Sequence, residues 1–336
     1  VALGVSVGPT LGGVITEYLT WRWIFYINVP IGIMLVIAAL CVLKEPLHRG
    51  QGRFDPTGAV LLAIGLALFV LGISFGQEWG WASPRLLASV SIGVAALVAA
   101  VLVERRVKDP ILDFHLLTNR VFASANVSFM LSMLALFAVG FLLPFYFEEL
   151  RGYSTLEAGL LLTPMSLILA VVAPISGSLA DRIGSRWLAP IGLAIACIGL
   201  ALLSQLNAQS SIWDIVWRLL VTGFGQGIFS APNTRAIMGA APLEQQSIAS
   251  GILGTGRVIG QSISVALAGA IFATLGGAAA GSILVSQRAS LSPAEVSALQ
   301  ATFVSSFRAA LLVCAGLAML GVLTAAVRGN EAASKM

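Results

Sequence analysis

The stretch Gly4-Val5-Ser6-Val7-Gly8-Pro9-Thr10-Leu11-Gly12-Gly13 lies inside an apolar segment running from Val1 to about Leu19. It reads as a membrane helix with one bare face. Gly4, Gly8 and Gly12 recur every four residues, so in a helix they stack on one side and let another backbone approach closely. Pro9 lacks an N–H and places a bend at that contact.

The composition around this stretch excludes an ordinary soluble domain. The 336 residues are 58% hydrophobic and 10% charged, whereas about a quarter of the residues of a soluble domain are charged. Mean hydropathy is +0.94. The net charge of +4 is scattered through short loops and does not form a basic patch, so no nucleic-acid partner is expected. Cys41, Cys197 and Cys314 fall inside apolar segments without paired or metal-ligand spacing, and read as small core residues. No metal site or cofactor is expected. The two histidines, His48 and His115, lie in loops, and no HExxH, Ser/His/Asp set or GxxxxGK[ST] loop supports an enzyme or direct use of ATP.

Charged and Gly/Pro-rich breaks divide the chain into ten candidate spans, all helical, each near the roughly 20 residues that cross a hydrocarbon core. They are Val1 to Leu19, Ile24 to Leu43, Thr57 to Phe75, Leu86 to Val103, Val121 to Phe147, Thr155 to Ala180, Leu188 to Leu206, Ile212 to Ala236, Ser247 to Leu275 and Phe307 to Val327. The loops between them alternate in charge. Lys44, Arg49, Arg53, Arg105, Arg106, Lys108, Arg120, Arg182, Arg186, Arg235, Arg328 and Lys335 fall on one side, and Arg22, Arg85, Arg151, Arg288 and Arg308 on the other. The richer side is expected inside, which makes the carboxyl terminus cytoplasmic and the protein a multi-pass protein of the cell's inner (plasma) membrane. Trp21, Trp23, Trp79, Trp81, Trp187 and Trp213 stand at predicted span ends, as an interfacial belt does. Gly276 to Thr302 is expected as a long external connection, with Ser292 capping a short helix that starts at Pro293.

The pattern GxxxGPxxGG, followed by Trp21-Arg22-Trp23 and Ile27-Asn28-Val29-Pro30-Ile31-Gly32, resembles the fifth and sixth helices of drug:proton antiporters of the major facilitator superfamily, most closely their fourteen-helix branch of multidrug efflux transporters. A second stretch, Gly177-Ser178-Leu179-Ala180-Asp181-Arg182-Ile183-Gly184-Ser185-Arg186-Trp187, resembles the facilitator loop pattern GxLaDRxGrr. Physically it is a tight turn in which Gly184 permits a left-handed backbone and Asp181 is placed to pair with Arg182, Arg186 or a neighbouring helix end.

The resemblance implies an all-α polytopic transmembrane bundle with about ten of fourteen helices present, amino-terminally truncated since Val1 already lies within an apolar segment. Residues 1–45 would be the last two helices of the amino-terminal half, 46–120 two linker helices and a cytoplasmic loop, and 121–336 the carboxyl-terminal six-helix half. Gly4, Gly8, Pro9, Gly12 and Gly13 would line the contact between the halves, and Gly177, Asp181, Arg182, Gly184 and Arg186 would form a latch on the cytoplasmic gate. The implied activity is export of amphipathic or cationic drugs in exchange for protons by alternating access, with the lipid bilayer as solvent. A periplasmic adaptor is admitted as a further partner. The rivals are a facilitator for a single metabolite or nutrient and a non-transporting fragment.

Charge at membrane depth is costly, about +2.5 to +3.5 kcal/mol for a helix-centre Arg on insertion scales, and marks functional suspects. Arg257 lies near mid-depth and either neutralises a substrate carboxylate or a helix carbonyl end, or holds the bundle through Gln261 and nearby backbone. Arg218 sits nearer a span end and can snorkel. In two spans that would line a facilitator's cavity, Asn126, Phe129, Met130, Met133 and Phe137 recur at helical spacing, and so do Phe224, Gln226, Phe229 and Asn233, with Pro232 breaking the second helix. Met and Phe suit varied apolar ligands and plain packing alike. Glu17, Glu148 and Glu149 lie at outer ends of spans, so no carboxylate stands at mid-depth. The resemblance places the proton-carrying Asp on a first helix absent here.

Overall fold

The computed structural model describes residues 2–42, 56–80, 82–104, 114–288 and 290–328. Its helices are α1 (Ala2–Tyr18), α2 (Trp23–Tyr26), α3 (Asn28–Val42), α4 (Pro56–Ser74), α5 (Gly76–Trp79), α6 (Pro84–Glu104), α7 (Phe114–Thr118), α8 (Arg120–Phe145), α9 (Thr155–Ile183), α10 (Leu188–Leu203), α11 (Ile212–Ala240), α12 (Gln246–Thr274), α13 (Gly277–Ser286) and α14 (Pro293–Ala326). Among the described residues there is no strand, as a bilayer-spanning chain requires unless it closes a barrel. Among the described residues, seven helical segments are long and apolar enough to cross a membrane: 23–42, 56–74, 84–104, 120–150, 155–183, 246–274 and 293–326. Helices α1 and α10 have 17 and 16 residues. Helix α11 has 29 but carries Asp214, Arg218, Gln226, Asn233 and Arg235.

Local chemistry accounts for most helix ends. Ser154 and Glu157 form a reciprocal capping box at the start of α9, with Ser154 N donating to Glu157 Oε2 at 2.8 Å and Glu157 N to Ser154 Oγ at 3.2 Å. Ser292 and Glu295 repeat the arrangement at α14, with Pro293 in the first turn. Ser211 accepts from Asp214 N at α11, and Asn119 from Val121 N at α8. Helix α8 runs on into a π-helical turn, Tyr146–Leu150.

Two expectations fail here. The connection from Gly276 to Thr302 is mostly helical, because α14 starts at its cap and runs unbroken for 34 residues instead of beginning near Phe307. Arg308 therefore stands exposed in the middle of α14 and not in a loop. The helix is also not broken at Pro232, since α11 passes through it to Ala240. Pro232 leaves the Ile228 carbonyl without its usual donor, and Ser176 Oγ of α9 supplies one at 3.0 Å.

Helices α8 to α14 pack as one bundle. Its core joins Phe122, Leu142, Leu143, Tyr146 and Phe147 of the α8 segment to Leu193 and Leu200 of α10 and to Phe303 and Phe307 of α14. Tyr146 also donates to the Asn207 carbonyl at 2.7 Å, which satisfies the hydroxyl of an otherwise apolar ring. Helices α4 and α6 pack chiefly on each other, where Gly58, Gly65 and Gly72 are the buried residues of α4 and a Cβ at Gly93 would lie 2.8 Å from Phe69 N. Helix α12 joins this hairpin to the bundle. Helix α1 packs on α9, whereas α3 has no buried residue at all.

The belt residues Trp21, Trp23, Trp187 and Trp213 are all exposed, as interfacial rings are. Cys197 and Cys314 are buried, but Cys41 is exposed, so the core reading fails for that cysteine. Lys44, Arg49, Arg53, His48, Trp81, Arg105, Arg106, Lys108 and Lys335 lie outside the described residues.

Candidate functional site

The predicted site residues fall into three places. The first is the contact between α1 and α9. The Gly8 and Gly12 face is not closed by a neighbour: a Cβ added at either would meet nothing within 4 Å among the described residues. The close approach is at Gly13, next to that row, where a Cβ would lie 3.2 Å from the Thr155 carbonyl and 3.3 Å from Leu156 Cα. Gly4 and Pro9 lie within the continuous α1 helix.

The second place is the turn between α9 and α10. Helix α9 ends at Ile183, and Gly184 takes φ +84°, a backbone that a side chain would strain. Gly177 lies about two turns earlier, against Ala231 of α11. Asp181 pairs neither with Arg182 nor with Arg186: its Oδ1 lies 3.0 Å from Arg235 Nη1 of α11. The same Nη1 donates to the Ala180 carbonyl. Both partners of the ion pair are largely exposed, at 67% for Asp181 and 45% for Arg235. Arg182 is exposed, and the Arg186 guanidinium lies over the Trp187 ring at 5.4 Å.

Beside this clasp is a buried polar network that sequence reasoning missed. Arg328, just past α14, is fully buried and donates through Nη2 to Ser185 Oγ and through Nη1 to Asn233 Oδ1 at 3.0 Å. Asn233 Nδ2 donates to the Ala125 carbonyl of α8 at 2.9 Å. Ser128 Oγ stands 3.3 Å from Asn233 Oδ1. One guanidinium thus ties the end of α14 to the α9–α10 turn and to α11. In sequence Arg328 reads as a topogenic charge at the end of a span, and only its burial among distant partners shows otherwise.

The third place is the set assigned to a substrate cavity, which the structure divides. Asn233 belongs to the network above, and Phe229 is fully buried in the bundle core where α10 and α11 meet. Neither lines open space. Asn126 is half-buried and donates to the Phe122 carbonyl of its own helix. Phe137 is exposed at 43%, and Gln226 is half-buried. Phe129 and Arg257 do come together: the Arg257 guanidinium lies over the Phe129 ring at 5.7 Å. One turn on, a Cβ at Gly260 would meet Met130 O and Met133 Cβ, both at 2.9 Å. An open apolar groove of about 270 Å³ lies elsewhere, lined by Ile168, Ile195, Leu220, Val221 and Phe224. Arg218 has a structural place, donating to the Leu202 carbonyl at 2.8 Å and pairing with Asp214 at 3.1 Å. Glu149 lies in the π-helical turn with Oε2 buried, against Gly281.

The described residues thus form an all-helical architecture with a Gly-Pro helix and an acidic-basic turn between two long helices. The chain belongs to the major facilitator superfamily, which it matches over residues 1–265 and again over 125–335. It is 30% identical over 272 residues to the multidrug resistance protein Stp of Mycobacterium tuberculosis, covering 81% of this chain and 50% of that protein. It is 32% identical over 277 residues to the riboflavin transporter RibZ of Clostridioides difficile, covering 81% and 59%. The chain spans about half the length of the curated relatives it matches. A solved structure of a bacterial homolog to the human lysosomal transporter Spinster, inward-facing and unoccupied, shares the fold with a TM-score of 0.52 at 15% identity, over 81% of this chain and 66% of that one.

Proposed function

We propose that the protein exports amphipathic small molecules across the plasma membrane in exchange for protons, by alternating access, with its carboxyl terminus cytoplasmic. It would be of the fourteen-helix type, with α4 and α6 as the extra pair between the halves. The observation that carries this reading is the seating of α1 on α9 at Gly13, with Gly8 and Gly12 left open beside it. A glycine face that is closed at one residue and vacant at the next two leaves room for one element to rock on another, which is the motion alternating access requires.

The α9–α10 turn fits the latch of such a cycle. Its Asp181–Arg235 pair is exposed, and exposed pairs contribute about 0–1 kcal/mol, weak enough to break and remake in every turnover. Asp181→Asn is expected to slow turnover severalfold while leaving substrate affinity within about twofold, since a latch sets conformational rates. Loss of affinity at normal turnover would refute the latch.

The direct test uses everted membrane vesicles from cells expressing the gene, with a pH gradient imposed in each direction in turn. A fluorescent amphiphile should move against the protons and reverse when the gradient is reversed. Movement indifferent to the gradient would overturn antiport. The similarity to a riboflavin transporter favours a second reading, a carrier for one metabolite. A panel of unrelated amphiphiles separates the two: many accepted compounds support efflux, one accepted compound supports the carrier.

A further inference from the structure

Helix α12 carries a polar stripe near the middle of its length. Ser247, Ser250, Gly254, Arg257, Gln261 and Ser264 recur at three- and four-residue spacing and so share one side of the helix. Arg257 is the twelfth of 29 residues, near the middle of a segment long and apolar enough to span a bilayer. Its guanidinium makes no ion pair or hydrogen bond with any described residue, only the ring contact with Phe129. Ser264, two turns further, is fully buried, and its hydroxyl has no partner among the described residues. Gln261 stands between them, half-buried, and its amide makes no hydrogen bond with any described residue. A Cβ at Gly254, one turn to the other side of Arg257, would meet nothing within 4 Å, so this side of the helix is open at that position.

An arginine at this depth stays protonated and offers donors only. The amide of Gln261 and the hydroxyl of Ser264 add two more donors in line with it. Such a row asks for an acceptor carrying negative charge, and a planar carboxylate matches the guanidinium fork through two parallel hydrogen bonds. Phe129 and Met133 on the facing helix offer apolar surface beside it. The same charge repels a cationic amphiphile.

We infer that the Arg257–Gln261–Ser264 stripe of α12, facing Phe129 and Met133, is a binding site for the carboxylate of an aromatic or aliphatic organic anion. That this anion is cargo rests on the transport function proposed above; that it binds does not.

The test measures binding to the purified protein by fluorescence polarisation, using a carboxylated xanthene dye and its methyl ester, which share a body and differ in charge. The native protein should bind the acid at least tenfold more tightly than the ester. Arg257→Gln should bring the acid down to the ester's level, Arg257→Lys should recover part of the preference because it keeps the charge and loses the fork, and Gln261→Leu should reduce the preference two- to threefold. An acid that binds no better than its ester, or an Arg257→Gln protein of unchanged melting temperature that loses both dyes alike, overturns the site. Should Arg257→Gln fail to fold, Arg257→Lys and Gln261→Leu decide by the same ratio. Vesicle flux of the acid is followed in parallel. Acid binding without flux upholds the site and refutes the transport reading, whereas flux without acid preference does the reverse.

Discussion

Two glycine-bearing contacts in this protein differ in a way their sequences do not announce. In α1, Gly4, Gly8 and Gly12 make an ordered row, yet an added methyl at Gly8 or Gly12 would touch nothing. Between α10 and α11, less regular glycines close the tightest approach to a neighbouring backbone among the described residues. A Cβ at Gly225 would lie 2.2 Å from Ala196 N, one at Gly192 would lie 2.5 Å from Phe229 N, and one at Gly199 would lie 2.4 Å from Thr222 Oγ1. Bilayer helices gain nothing from hiding apolar side chains from water, so close backbone contact and its dispersion energy must hold them. The α10–α11 pair uses that contact fully. Helix α1 makes it at Gly13, beside the row, while Gly8 and Gly12 of the row stay open.

That contrast can be broken by substitution. The largest effect is expected at Gly225→Ala, where even one methyl forces two backbones apart. Overpacking of this kind costs about 1–3 kcal/mol, and the high end is expected because the neighbour is backbone and cannot rotate away. Thermal unfolding of the purified protein would show it, and an unchanged midpoint would mean that α10 and α11 separate readily.

Gly13→Leu comes next. Its neighbours are also backbone, but at 3.2 and 3.3 Å they need give way only slightly for the first carbon. A loss of about 1–2 kcal/mol is expected, with reduced cross-linking between cysteines placed on α1 and α9. Equal cross-linking would show that Gly13 is not the seat of the contact.

The smallest stability effect is expected at Gly8→Leu, because the added side chain enters open space. Exposed substitutions fall within about 0.5 kcal/mol, and replacing glycine inside a helix even favours the helix slightly. Export should nevertheless be lost, if the vacant face closes against another element during the cycle. Normal efflux by this variant would remove the Gly8 face from the mechanism and leave Gly13 as ordinary packing.

Much of the architecture was legible in the chain because it is local. Spans follow from runs of apolar residues, the starts of α9 and α14 from Ser–Glu pairs three apart, and the turn after α9 from Gly184. Hydrogen bonds within one helical turn enforce each of these. The site was less legible. Asp181 has two arginines within five residues in sequence, yet it pairs with Arg235 on another helix. The fork of Arg328 reaches Ser185 and Asn233, far away along the chain. The Phe229 and Asn233 periodicity is the same for a cavity wall as for a core, and burial alone separated them.

The sequence by itself determined that this protein is a set of long apolar helices with their ends marked by caps, glycines and tryptophans, since those are properties of each segment and of the bilayer that surrounds it. It also determined that a positive charge, Arg257, stands at membrane depth. The packing of the helices, and nothing local, sets which glycines are filled and which are open, which carboxylate meets which arginine, and that the donors of α12 stand in line without hydrogen-bond partners among the described residues. Those outcomes depend on how helices from distant parts of the chain are set against one another, and helical periodicity marks the face that is available without naming what will occupy it.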